Sequence, residues 1–250
     1  YCFVNYDLVR HEMNGCRTGI NGSASNWSLG AIRFARDFGA TPLTMATSRC
    51  ECHWPSPQGK AKDMVMRIDS NTAAIVTGGA SGLGEATAKA LAALGVKVAI
   101  FDVNVQAGTA VVDEIGGHFC EVDITSEDSV VAGFASARAV QGQERILVHC
   151  AMTSRRGKTL AYDKEAGRLK RLSTDDYIYG VHGILVASYR IASLSAEGMA
   201  TLDPLEDSER GCITLTASVA AQDGQIGQVV YGSAKAGVNG LVLPITRDLY

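Results

Sequence analysis

Tyr231 and Lys235 stand four positions apart, and Ser218 lies thirteen residues before the tyrosine. Side chains at that helical spacing share one face, so a phenol and an ammonium can converge on a single ligand. A phenol is a poor base near neutrality, and an ammonium beside it favours the phenolate. Such a pair can exchange a proton with a carbinol or carbonyl oxygen while the Ser218 hydroxyl holds that oxygen in place. Lys235 can also reach the ribose of a nicotinamide nucleotide, whose ring would exchange a hydride with the substrate carbon. Each piece alone says little. Tyr-x-x-x-Lys pairs commonly decorate helix surfaces, and a serine at a strand end is more often a cap.

The weight comes from what lies upstream. Residues 77–84, Thr-Gly-Gly-Ala-Ser-Gly-Leu-Gly, join an apolar strand to a helix. Glycines such as Gly78, Gly82 and Gly84 let backbone amides approach a pyrophosphate without a Cβ in the way, and the helix points its positive end at the anion. The plain alternative is a tight βα turn. Asp102 closes the next apolar run, where a carboxylate can accept hydrogen bonds from adenosine ribose hydroxyls and repel a 2′-phosphate. No Arg or Lys lies between Phe101 and Val111 to receive such a phosphate, so NAD is expected rather than NADP. Asp123 can bond an adenine amino group while Ile124 packs on the ring. That reading rests on position alone, against an ordinary βα corner.

These groups need strands that end side by side. Apolar runs at 73–77, 96–102, 119–124, 145–151 and 212–217 read as strands, and 83–94, 129–140, 174–199 and 230–249 as helices. Pro244 is expected to bend or interrupt the last of these. Nearly unbroken apolar strands alternating with helices imply an α/β fold, a doubly wound parallel sheet of Rossmann type covered on both faces.

With 250 residues, 46% of them hydrophobic and 20% charged, the chain can bury a sizeable core. Its formal charge of −3 offers nucleic acid or an anionic membrane no general attraction. No run of 18 apolar residues suggests a membrane span. Cys120, Cys150 and Cys212 lie in or beside apolar runs and read as small buried residues of a reducing compartment, cytoplasmic or, in a eukaryote, mitochondrial. Cys2, Cys16, Cys50 and Cys52 lie near the start, and the Cys-x-Cys-His spacing ending at His53 fits no common zinc arrangement, so no metal is expected. Residues 1–65 show no sustained period and read as an irregular extension, an upstream or vestigial stretch before Met66, with a small accessory domain as the alternative.

Together these residues resemble the short-chain dehydrogenase/reductase superfamily. Within it the chain is similar to the type-2 3-hydroxyacyl-CoA dehydrogenases, also called type 10 17β-hydroxysteroid dehydrogenases. The likeness is carried by 77–84, 145–151, 199–211, the run Thr-Ala-Ser-Val-Ala-Ala-Gln-Asp-Gly-Gln-Ile-Gly-Gln-Val-Val-Tyr at 216–231, and Leu-Pro-Ile-Thr-Arg-Asp-Leu at 243–249. It spans roughly 66–250 and implies a homotetramer using NAD to oxidise a 3-hydroxyacyl-CoA, or a related secondary alcohol such as a steroid. By position it implies that Ser81, Leu83, Asp102, Asp123, Ile124 and Cys150 contact NAD. Ser218, Tyr231 and Lys235 would form the catalytic set, with Gln225 beside the substrate.

The chain departs from the family in three places. The family usually shows Asn-Cys-Ala-Gly where His149-Cys150-Ala151-Met152 stands, so Met152 is expected to crowd a backbone that passes near the cofactor. Ile184 occupies the place of an asparagine whose backbone anchors a water, so the helix there is expected to lose its polar brace. Family members continue beyond the equivalent of Tyr250 into further strands and a lid. The domain therefore reads as C-terminally truncated, with an open sheet edge and an uncovered pocket. A decayed dinucleotide-binding subunit is the non-enzymatic alternative.

Overall fold

The apolar runs form strands because both faces of each are buried. In this computed structural model, which describes residues 68–205 and 208–249, the pattern opens with β1 (Ala73–Thr77) and α1 (Gly82–Ala93). β2 (Lys97–Asp102), α2 (Val105–Ile115), β3 (His118–Glu121), α3 (Glu127–Gln141) and β4 (Ile146–His149) follow. An antiparallel hairpin, β5 (Leu160–Asp163) and β6 (Arg168–Arg171), interrupts the alternation. Then come α4 (Thr174–Val181), a π-helical segment (His182–Val186), α5 (Ala187–Ala200), β7 (Cys212–Leu215), a short 3₁₀ turn (Val219–Ala221) and α6 (Val229–Asp248). The expectations for residues 1–65, including Cys2, Cys16, Cys50, Cys52 and His53, lie outside the described residues.

The five main strands are parallel in the order β3-β2-β1-β4-β7. Alternate residues feed opposite faces. Ala74, Val76, Val98, Ile100, Ile146 and Val148 pack towards Ala88 of α1 and Val111 and Val112 of α2. Ile75, Ala99, Phe101 and Leu147 pack towards Phe134 of α3 and Ile191 of α5. Phe101 meets Phe134 edge to face, with ring centroids 5.3 Å apart. A third cluster seats α6 on β7 and the π segment through Ile184, Leu215, Ala217, Ala234 and Val238. The chain order reverses between β1 and β4, and the carboxyl ends of strands at such a switch point are where open α/β sheets bind ligands.

The structure corrects several details. α2 and the hairpin are additions to the expected elements. α6 runs continuously through Pro244. Among the described residues β7 pairs only with β4, so it forms a sheet edge. No helix among them is long and apolar enough to cross a membrane.

Candidate active site

Thr77 ends β1, and the chain turns at once into the glycine loop. Gly84 must lack a side chain, since a Cβ there would lie 2.1 Å from the Gly78 carbonyl oxygen. Gly82 has φ +57 and faces open space, so the loop is closed against α1 but open outwards. Ser81 and Leu83 flank the opening and are exposed, and the Ser81 side chain makes no cap bond although it sits at the N-cap of α1. The amides of a first helical turn have no partner within their own helix. A mould of this form, with free donors and no Cβ over its centre, fits a pyrophosphate.

Asp102 ends β2 beside that loop. Its Oδ2 accepts from the Ala80 amide at 3.1 Å and its Oδ1 from the Asn104 amide at 3.0 Å. The carboxylate thus fastens the phosphate loop to the second strand while remaining partly open to solvent, where a ribose could meet it. Asp123 sits just past β3 rather than within it, and its Oδ1 accepts from both Thr125 N and Thr125 Oγ1. Ile124 is 7% exposed and packs in the core, so it offers a ligand only a small margin. Its carbonyl accepts from Arg190 at 2.7 Å, a clasp from α5 that sequence reasoning missed.

On the other side of the switch point the polar groups go underground. Lys235 is 4% exposed, and its ammonium donates to the Thr216 carbonyl. Burial pulls the ammonium down to about 8, opposed in part by Cys150. Its Nζ lies 5.8 Å from the centre of the Tyr231 ring, so the phenol and the ammonium do share a face of α6. Cys150 is half-buried, its thiol pushed up by burial, and its Sγ receives the Thr216 hydroxyl at 3.6 Å. Ser218 caps the 3₁₀ turn, its Oγ accepting from Ala220 N at 3.2 Å. That turn packs on the first turn of α6, where a Cβ on Gly232 would come within 2.8 Å of the Ala220 carbonyl oxygen. The turn carrying Ser218 and the helix turn carrying Tyr231 are therefore in contact. Gln225 is exposed in the connecting loop, its Oε1 accepting from Gln228 at 3.3 Å.

At two of the departures the backbone is well formed. Met152 is 42% exposed, and positive φ is found at no described non-glycine residue except Ser208, so its backbone is unstrained. At Ile184 the helix keeps its distortion without a polar side chain. The widened π turn is braced by backbone acceptors instead, Gly183 O taking Thr153 N at 3.2 Å and Ile184 O taking Ser188 Oγ at 2.6 Å.

The hairpin borders the same region. Gly157 N donates to Gly227 O at 3.0 Å, tying the hairpin base to the loop of Gln225. Between 155 and 171 stand seven cations (Arg155, Arg156, Lys158, Lys164, Arg168, Lys170, Arg171) against two acids, Asp163 and Glu165. A net +5 within a chain of −3 is a local concentration of charge.

Comparison with known proteins agrees with this geometry. The short chain dehydrogenase family model matches residues 72–250. A Drosophila melanogaster 3-hydroxyacyl-CoA dehydrogenase type-2 is 41% identical over 181 residues, covering 72% of this chain and 69% of that protein. The crystal structure of a 3-hydroxyacyl-CoA dehydrogenase type-2 from Mycobacterium avium superposes with a TM-score of 0.66 at 36% identity, covering 74% and 71% of the two chains. A 7α-hydroxysteroid dehydrogenase solved with NADH and 7-oxo glycochenodeoxycholic acid gives 0.62 at 28% identity, covering 73% and 67%. A dinucleotide mould at the switch point, a Tyr-Lys pair on one helix face and a match across the whole patterned region agree: the chain belongs to the short-chain dehydrogenases, a family of oxidoreductase enzymes that bind a nicotinamide dinucleotide.

Proposed function

We propose that this protein uses NAD to oxidise the hydroxyl of a 3-hydroxyacyl-CoA to the ketone, with the reverse reduction available from NADH. The carrying observation is the buried Lys235 beside Tyr231 on one face of α6, across the switch point from the glycine mould. Asp102 supports NAD over NADP, because a carboxylate fastened at the loop would face the extra phosphate with like charge.

The bound nicotinamide would supply the hydride acceptor. The remaining work falls to the chain. Ser218 positions the substrate oxygen by a hydrogen bond, and Tyr231 takes the hydroxyl proton. The tyrosine must be a phenolate to accept that proton, and the Lys235 charge offsets this anion until the proton arrives, an effect that counts for more in a dry site than in water. With its ammonium at about 8, the lysine is mostly charged at neutral pH and can still part with a proton when the site turns over.

Coenzyme A carries phosphates, and the cationic hairpin offers them a seat. A cleft of about 610 Å³ runs between the hairpin base at Lys158 and the loop of Gln225 and Gln228. A steroid brings no phosphate to those cations, so the thioester is the better match. The same reading includes self-association, to a tetramer as the family resemblance implies. Tyr177, Ile178, Tyr189 and Val229 expose apolar surface on α4, α5 and α6, of the kind that oligomers cover.

Formation of NADH from NAD and 3-hydroxybutyryl-CoA, followed at its absorbance, tests the reading. Turnover with NAD is the expected result. Binding of NADH without any turnover would move the protein to the binding-subunit alternative.

A further inference from the structure

Lys235 does not hold its place alone. Its ammonium donates to Thr216 O, and Thr216 in turn grips His149, its amide and its hydroxyl both donating to the His149 carbonyl at 3.2 and 2.8 Å. His149 ends β4 in register with Thr77 of β1. Its ring reaches sideways to that residue, Nδ1 lying 2.7 Å from Thr77 Oγ1. The Ala151 amide donates to the same Oγ1 at 3.2 Å. Lysine, β7 end, β4 end and β1 end, from which the phosphate loop springs, thus form one continuous belt. His149 is its middle link.

We propose that His149 is a positioning residue for Lys235, its uncharged imidazole locking the ends of β1 and β4 so that Thr216 presents its carbonyl to the ammonium. This rests on the dehydrogenase reading of Lys235.

Thr77 Oγ1 receives Ala151 N–H and keeps both its own hydrogen and a second lone pair, so either neutral tautomer of the ring can make the bond to Nδ1. His149 is 3% exposed, and Nε2 has no partner among the described residues. Buried polar atoms left unmet are uncommon, and an apolar side chain would fill this space without leaving one. A ring that keeps an unmet nitrogen is held there by its other end.

The ring also stays uncharged where the lysine titrates. Burial first, and the Lys235 charge second, hold His149 down at about 3. The titratable groups around the belt are Lys235 and Tyr231 from α6 and Cys150 just past β4, while the ends of β1 and β7 bring the non-titrating Thr77 and Thr216 to it. When the ammonium loses its proton near pH 8, the brace beneath it does not change. Lysine position and lysine charge are thereby separated.

The test follows the Lys235 side chain by NMR titration in the full chain without cofactor, for the wild type, His149→Phe and His149→Asn, with NADH binding measured by fluorescence. The wild-type lysine should titrate near 8. In His149→Phe, which fills the space but bonds nothing, it should rise by about one unit or more as the ammonium gains water, and NADH should bind about tenfold more weakly. His149→Asn keeps a polar group for Thr77 and should restore both values. An unshifted lysine in a folded His149→Phe, or equal damage in both variants, overturns the positioning role. Nitrogen NMR of the wild-type ring gives an independent check: a neutral imidazole at about pH 5 supports the role, and an imidazolium there overturns it even if the Phe variant fails to fold. Absence of NADH binding in all three proteins would count against the dehydrogenase reading instead, and the two titrations would still judge His149.

Discussion

At their carboxyl ends the two halves of the sheet treat polar groups in opposite ways. On the β1–β2–β3 side the side chains of Asp102, Asn104 and Asp123 each meet a neighbour in sequence or in the adjoining loop. Asp102 takes the Ala80 and Asn104 amides, Asn104 Oδ1 takes Ala107 N, and Asp123 takes Thr125. On the β4–β7 side the groups are buried and only partly met. His149 keeps a lone Nε2, and Lys235 sits in the interior with its ammonium drawn down to about 8. The first half is a rigid mould, whose task is shape. The second concentrates charge in a dry setting, where small changes in protonation carry large energies. Binding and proton chemistry are thus assigned to different strands.

Breaking the second half should leave the first intact. Tyr231→Phe deletes one hydroxyl and no bulk, and turnover should fall by about 10³-fold while NADH affinity stays within about twofold. Steady-state rates with 3-hydroxybutyryl-CoA and a fluorescence titration measure the two arms. Undiminished turnover would remove Tyr231 from the proton transfer.

The difference should also appear in stability against acid. A histidine unfolded in water titrates near 6.5, whereas His149 in the fold is held at about 3. A lowered folded value means that the unfolded chain binds the proton first. The stabilisation is therefore complete above pH 6.5 and is lost as the pH falls from there towards 3. Linkage puts the loss between pH 7 and pH 5 at about 2 kcal/mol. Urea unfolding at the two pH values should give that difference in the wild type and a smaller one in His149→Asn. An equal acid loss in both proteins would place its origin elsewhere.

The first half was also the more legible of the two. Its loop, strand and closing acid are contiguous in sequence, so local rules point to Gly78, Gly82, Gly84 and Asp102. Two elements carried signals that went unused: α2 begins at an Asn104 cap and ends on a left-handed Gly116, and the hairpin tip pairs an Asp163 cap with a left-handed Gly167. The belt is of another kind. Thr77 and His149 are 72 positions apart, and nothing in either neighbourhood announces their bond. The π turn at Ile184 was hidden for a similar reason, since its brace at Thr153 comes from a distant loop.

Asp102 offers a way to sharpen the comparison within the mould itself. Asp102→Ala removes both the charge and the bond to Ala80 N, and should weaken NAD about tenfold while narrowing its lead over NADP. Asp102→Asn keeps an oxygen for that amide and removes only the charge. If charge sets the preference, the Asn variant should accept NADP as well as the Ala variant does yet lose less affinity for NAD. Unchanged preference in both would contradict the ribose assignment. The measurement is the ratio of kcat/KM for the two coenzymes.

The smallest effect should come from the hairpin, which belongs to neither half. Arg168, Lys170 and Arg171 lie on an exposed strand, so their replacement by alanine disturbs no core. Exposed charges act weakly and are screened by salt, and three of them together should raise the KM for 3-hydroxybutyryl-CoA only about three- to fivefold at low ionic strength. The KM for NAD should stay put, because the mould lies across the switch point. A 3-hydroxybutyryl thioester of N-acetylcysteamine, which lacks the phosphates, should be oxidised equally well by both proteins. At about 0.5 M salt the two should also converge on the CoA substrate, since the screening length is then well below the span of the patch. If the short thioester suffered as much as the full one, the hairpin would be acting on the shape of the Gln225 loop, to which Gly157 ties it, and the charge would be incidental.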